Sequence, residues 1–323
     1  MLVISFMGEY SNYLKLYRNI NCDANQIIIT SGSLHSLYLI SNTLIDENDE
    51  VIIENPSYPN AYSLFKSLNA NIHPIDIDNE GISVKKMVCE NPKFIYTTPS
   101  NQYPTGVKMS MRRRLELLEW ASNKNTYIIE DDYNHEFSNW ENPIASVFSL
   151  DQQERTIYLG TFNKLLHPSI RLGYMIVPHH LVNVIKALYE QSSRFVSTSL
   201  QKTLSNFIEK GYLNKHLRHI IEVSVERKQL FLDCFNQNFN NEILLDSNNT
   251  GLHLTGKLKD NIKDVEIANY LSQNGIITHP LSNYYVGKTS KNGLVMGYCS
   301  VNNKLIKENI NKMVKVYGRF LIS

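Results

Sequence analysis

Between residues 24 and 178 short β-rich runs alternate with helical stretches, and this alternation limits the fold more than any other feature of the chain. Gln26–Thr30, Glu50–Ile53, Ile72–Ile77, Lys93–Thr98, Tyr127–Glu130, Thr156–Leu159 and Leu172–Val177 read as strands. Leu34–Leu44, Asn60–Leu68 and Arg112–Ser122 carry helical patterns between them. Strands that alternate with helices pair side by side through crossovers, which predicts an α/β fold with a mostly parallel central sheet. A chain of 323 residues, 42% of them hydrophobic, can bury a sizeable core around such a sheet.

The pattern changes after Pro178. Residues 179–210 read as helical, and a longer helical pattern runs from Leu213 to about Asn236. From Gly251 short strands and helices mix, in GLHLTG, VEIANYLSQNG, GLVMGYCS and KENINKMVKVY. The expected organisation is an N-terminal helical segment (1–19) packing with the small domain, a large domain (20–212), and a long linking helix with a small α+β domain (213–323).

Chemistry-bearing residues cluster where the strands end. Gly160-Thr161-Phe162-Asn163-Lys164 follows one strand, with Arg171 seven residues on. A lysine amine delivered into such a turn can form a Schiff base with an aldehyde, and an arginine fork matches a phosphate. The Thr161 hydroxyl can join the same phosphate. Ile128-Ile129-Glu130-Asp131-Asp132-Tyr133 ends another strand in carboxylates. A buried carboxylate there, for which Asp131 is the choice, can pair with the pyridine nitrogen of pyridoxal 5'-phosphate (PLP), and Tyr133 can reach the ring oxygen. Thr30-Ser31-Gly32-Ser33 precedes a helix, so the backbone at Gly32, Ser33 and Leu34 faces an anion and Ser33 adds a hydroxyl. Tyr58, in Glu54-Asn55-Pro56-Ser57-Tyr58-Pro59, offers a flat ring for stacking. Asn101 and Tyr103, in the turn Pro99–Gly106, both qualify as ring-oxygen partners. Each segment alone is an ordinary turn, cap or packing residue. Their convergence on one sheet edge carries the inference.

The strings YTTPSNQYPTG, IIEDDYNHEF and YLGTFNKLLHPSIRLGY resemble fold type I PLP enzymes, the class I/II aminotransferases, and within them the aminotransferase-like domain of MocR regulators of the GntR family. The resemblance runs from about Gly8 to the end. It implies PLP as cofactor, Lys164 as the internal aldimine lysine, and Asp131 and Tyr133 on the ring. It implies Tyr58 stacked on the ring, and Ser33, Thr161 and Arg171 on the phosphate. Asn101 or Tyr103 would sit near the ring oxygen, in a loop two residues longer than the N-P-T-G form. A homodimer is expected, with a small amino compound as substrate or effector.

Four departures accompany the resemblance. The winged helix–turn–helix of MocR proteins and the first part of their aminotransferase domain are expected to be lacking. Val295 stands where many aminotransferases carry the arginine that binds a substrate carboxylate. Leu34 and His35 replace frequent glutamines, and Asn163 replaces a usual serine. Arg155, Arg194 and Arg218 are candidates for the missing anchor. The expectation is transamination through Lys164, with two alternatives: a non-catalytic sensor of PLP and an amino compound, and a truncated remnant that binds PLP weakly.

A net charge of +1 and a pI near 7.7 give no field for nucleic acid or membrane, so neither partner is expected. The basic trio Arg112–Arg114 reads as a solvated helix start. Cys22, Cys89, Cys234 and Cys299 are scattered, so neither disulfide nor metal site is expected, and a reducing cytoplasm fits. No apolar run reaches the roughly 18–20 residues of a membrane span, and MLVISFMGEY does not read as a signal peptide.

Overall fold

Runs such as IIIT and YIIED are rich in β-branched residues and are buried almost throughout, as strands covered on both faces must be. The computed structural model describes residues 4–137, 144–192, 196–239, 242–246, 251–287 and 291–322. Helix α1 (Ile4–Arg18) is followed by β1 (Ile27–Thr30), α2 (Ser33–Leu44), β2 (Glu50–Asn55), α3 (Pro59–Ser67), β3 (Asn71–Asp78), β4 (Gly81–Ile82) and β5 (Phe94–Thr97). Then come α4 (Met111–Asn123), β6 (Tyr127–Asp131), α5 (Val147–Leu150), β7 (Thr156–Thr161), β8 (Gly173–Ile176), α6 (His179–Ser192) and α7 (Thr198–Glu209). The chain continues through α8 (Tyr212–Phe239), β9 (Leu244–Leu245), β10 (His253–Lys257), α9 (Asp264–Gln273), β11 (His279–Pro280), β12 (Gly293–Gly297) and α10 (Asn303–Phe320).

The large sheet has the order β1-β8-β7-β6-β5-β2-β3-β4. Strands β7, β6, β5, β2 and β3 are parallel neighbours. Strand β8 is antiparallel to both β7 and β1, so β1 runs with the parallel set. The fold is α/β with a mostly parallel sheet, as its alternation predicts. A second sheet, β11-β12-β10-β9, is antiparallel throughout. The 179–210 stretch contains two helices, α6 and α7, where one helical run was expected.

Helix α8 spans two cores. Its first turns place Leu213 and Leu217 among residues of β1, β7 and β8. Its last turns place Phe231, Phe235 and Phe239 against the second sheet, α9 and α10.

Two expectations need correction. The N-terminal segment does not pack with the small domain: Tyr10, Tyr13 and Leu14 of α1 are buried against Tyr158, Phe162 and Tyr174 of the large sheet. Aromatic residues three and four apart on α1 form an apolar stripe, and the nearest apolar surface that fits it is the β7–β8 face. Of the arginine trio only the first is solvated. Arg112 is exposed and pairs with Glu80 and Glu116. Arg113 is buried and pairs with Asp78 at 2.9 Å. Arg114, only 1% exposed, donates to the carbonyls of Met109, Ala145 and Pro99 and lies 3.5 Å from Glu130. A planar guanidinium with five donors can satisfy several loop carbonyls at once, which is what burying it requires.

Candidate active site

Strands β1, β2, β3, β5, β6 and β7 run the same way, so their C-terminal ends share one edge of the sheet. Ligands of open α/β sheets bind along such an edge. A cavity of about 290 Å³ lies there. Gly32, Ser33, Leu34, Tyr58, Tyr103, Asp131, Tyr133, Thr161, Lys164 and Arg171 all line it.

Asn101 does not. Its side chain is buried, and its amide donates to Asn134 Oδ1 at 2.9 Å. The loop is folded around buried Glu54, which accepts from Thr98 N, Thr98 Oγ1 and Gln102 Nε2. With Gln102 anchored inward, also donating to the Pro56 carbonyl at 2.7 Å, Tyr103 is the loop residue that faces the cavity. Its ring meets those of Tyr58 and Tyr133, each 5.7 Å away, and Tyr284 and His253 of the smaller lobe at 5.5 and 5.4 Å. Aromatic edges thus pack the rim where the two lobes meet.

The acidic run is sorted by the two-residue period of a strand. Glu130 turns to one side, where it accepts from Val147 N and Phe148 N at the start of α5. Asp131 turns to the cavity. Its two oxygens accept from Ser33 Oγ (3.2 Å) and Tyr96 OH (2.9 Å). Asp132 is again away from the cavity, paired with Arg18 at 2.6 Å. Burial pushes the Asp131 carboxyl up to about 7, although the Tyr96 and Ser33 bonds pull the other way. Tyr96 was missed in the sequence, where it looks like a core residue of FIYT; its signal is a phenol in a fully buried strand, which needs a partner.

A stability prediction follows. The folded state holds the Asp131 proton to about pH 7, whereas an unfolded carboxyl releases it near 3.8. Between those values the native state binds more protons, so stability falls as pH rises, by at most ~4 kcal/mol for this group. Glu136, pushed up to about 8 by burial, acts in the same direction. The midpoint of thermal unfolding of cofactor-free protein is therefore expected to drop between pH 4.5 and 8, and Asp131→Asn to flatten part of that drop. Parallel curves for the two proteins would refute the assignment.

The anion end is built from β1, β7 and β8. Gly32 takes a φ of 127° as it leads into α2; His35 N and Ser36 N already donate to its carbonyl, which leaves the N–H groups of Ser33 and Leu34 as the ones a helix start cannot satisfy one turn back. A side chain on Gly173 would lie 2.7 Å from Gly32 Cα, so β8 and this turn need glycine on both sides. Arg171, in the left-handed region at φ 50°, stands just before β8 and reaches the same cavity. The Ser31 N–H donates to His35 Nδ1 at 3.1 Å, which makes that nitrogen an acceptor. Burial, and then the Arg171 charge, lower the basicity of His35.

Lys164 is in the turn after β7 and borders both this cavity and a second one of about 460 Å³ toward α8. Burial is the main cause of the lowered basicity of His253, and positive Lys164 adds to it. The Tyr133 hydroxyl is buried, and among the described residues no hydrogen bond of good geometry closes on it, with Asn134 as its polar neighbour. Two hydroxyls nominated for a phosphate are engaged within the protein: Ser33 with Asp131, and Thr161 as acceptor from Asn163 N at 3.2 Å.

Of the candidate carboxylate anchors, Arg155 lies over the Tyr127 ring at the opposite ends of the strands, and Arg218 lines a separate cleft beside Tyr17. Arg194 is outside the described residues. Val295 is buried against Leu281 and Tyr284. Among the described residues, Lys164 and Arg171 are the lysine and arginine side chains that line the cavity.

The family model "Aminotransferase class I and II" matches residues 4–311. The probable rhizopine catabolism regulatory protein MocR of Rhizobium meliloti is 30% identical over 94% of this chain and 62% of its own length. Aromatic-amino-acid aminotransferase 1 of Thermococcus litoralis is 28% identical over 90% of this chain and 72% of its own. The crystal structure of kynurenine aminotransferase from Pyrococcus horikoshii superimposes with a TM-score of 0.89 at 26% identity, covering 98% of this chain and 80% of that one. The chain thus spans less than two thirds of the length of MocR.

Proposed function

The chain belongs to the class I and II aminotransferase family, and from that premise we propose that it binds PLP at the strand edge and transfers the amino group of a small amino compound. What supports this reading is the meeting, in one cavity, of a lysine, an arginine beside a helix N-terminus, and a buried carboxyl titrating near neutrality.

The residues present fit the cofactor. Among the described residues the buried Tyr133 hydroxyl finds no acceptor in good geometry, and a phenolate-like ring oxygen in the cavity would supply one. The first turn of α2 and Arg171 offer N–H donors to a dianionic phosphate. PLP, when bound, supplies an aldehyde that condenses with amines and a ring that withdraws electrons.

The chain's own residues then divide the work. Arg171 and the Gly32–Leu34 backbone bind the phosphate and orient the group. Asp131 holds a proton against a ring nitrogen, and Tyr96 and Ser33 fix its carboxylate in place. Tyr58 and Tyr103 exclude water from the faces and rim. Lys164 Nζ would hold the cofactor, and its amine is placed in the cavity to carry a proton as general base and acid. A homodimer belongs to this proposal.

One observation favours a second reading, a PLP-dependent sensor that binds an amino compound without turnover. Val295 lies in an apolar cluster, and Lys164 and Arg171 are both committed to the cofactor, so a substrate carboxylate finds no further arginine or lysine among the described residues lining the cavity. A single-turnover panel of amino acids and simple amines separates the two. Pyridoxamine phosphate and a carbonyl product, identified after denaturation, are expected for the enzyme. Saturable binding of an amine with neither product establishes the sensor and overturns transamination.

A further inference from the structure

The opposite ends of the same strands carry a second group of side chains. Glu50 is the first residue of β2, His73 belongs to β3, and Cys89 lies in the segment that leads from β4 to β5. In the parallel register Ile52 faces His73, so Glu50 and His73 emerge on the same face of the sheet, two residues apart along the strands. Cys89 belongs to the apolar cluster that covers this face, with Ile52, Ile75 and Ile95.

One ligand atom from each of the three lies within 4.8 Å of the others. His73 Nε2 is 3.0 Å from Glu50 Oε1. A tetrahedral zinc ion, with bonds of about 2.0–2.3 Å, separates its ligand atoms by roughly 3.3–3.8 Å, so small side-chain adjustments bring all three into range. The second oxygen of Glu50 accepts from Asn91 N at 3.3 Å, which orients the carboxylate. The neighbouring cation Lys93 is tied to Asp49 at 3.3 Å.

We propose that Glu50, His73 and Cys89 form a three-ligand site for a zinc-class divalent cation, with water in the fourth position. Thiolate, imidazole and carboxylate together suit this borderline-soft ion better than calcium or magnesium, which take oxygen ligands. Cys89 is buried, while the Glu50 and His73 side chains are about 30% exposed, so the ion has a protein side and a solvent side. The ion would fasten the β4–β5 segment to the starts of β2 and β3. No spacing motif announces it, because the ligands come from three segments that only the sheet brings together.

Cobalt titration of chelator-treated, PLP-loaded protein tests the site. The wild type is expected to bind one equivalent, to show a thiolate-to-cobalt charge-transfer band, and to lose that band when zinc is added. Cys89→Ser is expected to abolish the band and weaken cobalt binding at least about tenfold, and His73→Gln to keep the band but weaken binding to a similar degree. The visible absorbance of PLP, at the other end of the strands, reports whether each variant is folded. No band in the wild type, or a band that survives in Cys89→Ser, overturns the proposal. If Cys89→Ser does not fold, unchanged cobalt affinity in His73→Gln overturns it.

Discussion

Replacing Lys164 with alanine is expected to remove the visible absorbance band that PLP gains on this protein and to lower any turnover by at least about 10²–10⁴-fold, the usual worth of a positioned proton carrier. In the proposed function the same side chain would supply both the amine that condenses with the cofactor and the group that moves the proton, so its loss is expected to remove both functions. PLP should still bind, because Arg171 and the first turn of α2 are untouched. The expected result is therefore a colourless complex whose affinity falls without vanishing, measured by equilibrium dialysis. A visible band that persists in Lys164→Ala would place the reacting amine on another residue and remove the basis for the site.

The second large effect concerns stability. Arg18, the last residue of α1, is 7% exposed, pairs with Asp132 at 2.6 Å and donates to Ser100 Oγ at 3.1 Å. Asp132 also accepts from Tyr158 OH at 2.6 Å. Arg18→Met would leave a buried carboxylate without its countercharge, which costs about 3–5 kcal/mol. Chemical denaturation is expected to show a loss of that size. Arg18→Met combined with Asp132→Asn should recover a substantial part of it, because the isolated charge is then gone. Asp132 is held below the usual carboxylate range despite its burial, chiefly by Arg18, so this contribution is present above the unfolded pKa and is lost as pH falls. A cost under about 1 kcal/mol for Arg18→Met would show that the pair does not anchor α1.

Both predictions touch residues that the sequence treated unequally. That Lys164, Asp131 and Tyr133 reach the cavity was legible because each ends or follows a strand, where composition changes sharply and the direction of the strand says which edge is reached; Arg171 stands just before a strand and was marked by its short distance from Lys164. Tyr96 was not, because a tyrosine inside FIYT has the same pattern whether its hydroxyl is idle or holds Asp131. The loop after β5 offered Asn101 and Tyr103 equally, and only the inward pull of Glu54 on Gln102 separates them. Arg113 and Arg114 read as surface charges because the carbonyls that receive them come from segments far along the chain. Helix α1 shows an apolar stripe but not which core it covers. In each case local periodicity was readable, and a long-range partner decided the outcome.

Helix α8 runs from Tyr212 to Phe239 without glycine or proline, and its two ends are embedded in different cores. At 1.5 Å per residue, the stretch from Leu217 to Phe231 is about 20 Å of uninterrupted helix. Bending it would break backbone hydrogen bonds, so it acts as a strut between the lobes rather than a flexible joint. Beside the strut, the lobes are also joined by hydrogen bonds from Ser57 N to the Tyr284 carbonyl and from Val286 N to Asn55 Oδ1. Neither core can lose its packing without stripping one end of the strut, so the two are expected to melt in a single calorimetric transition.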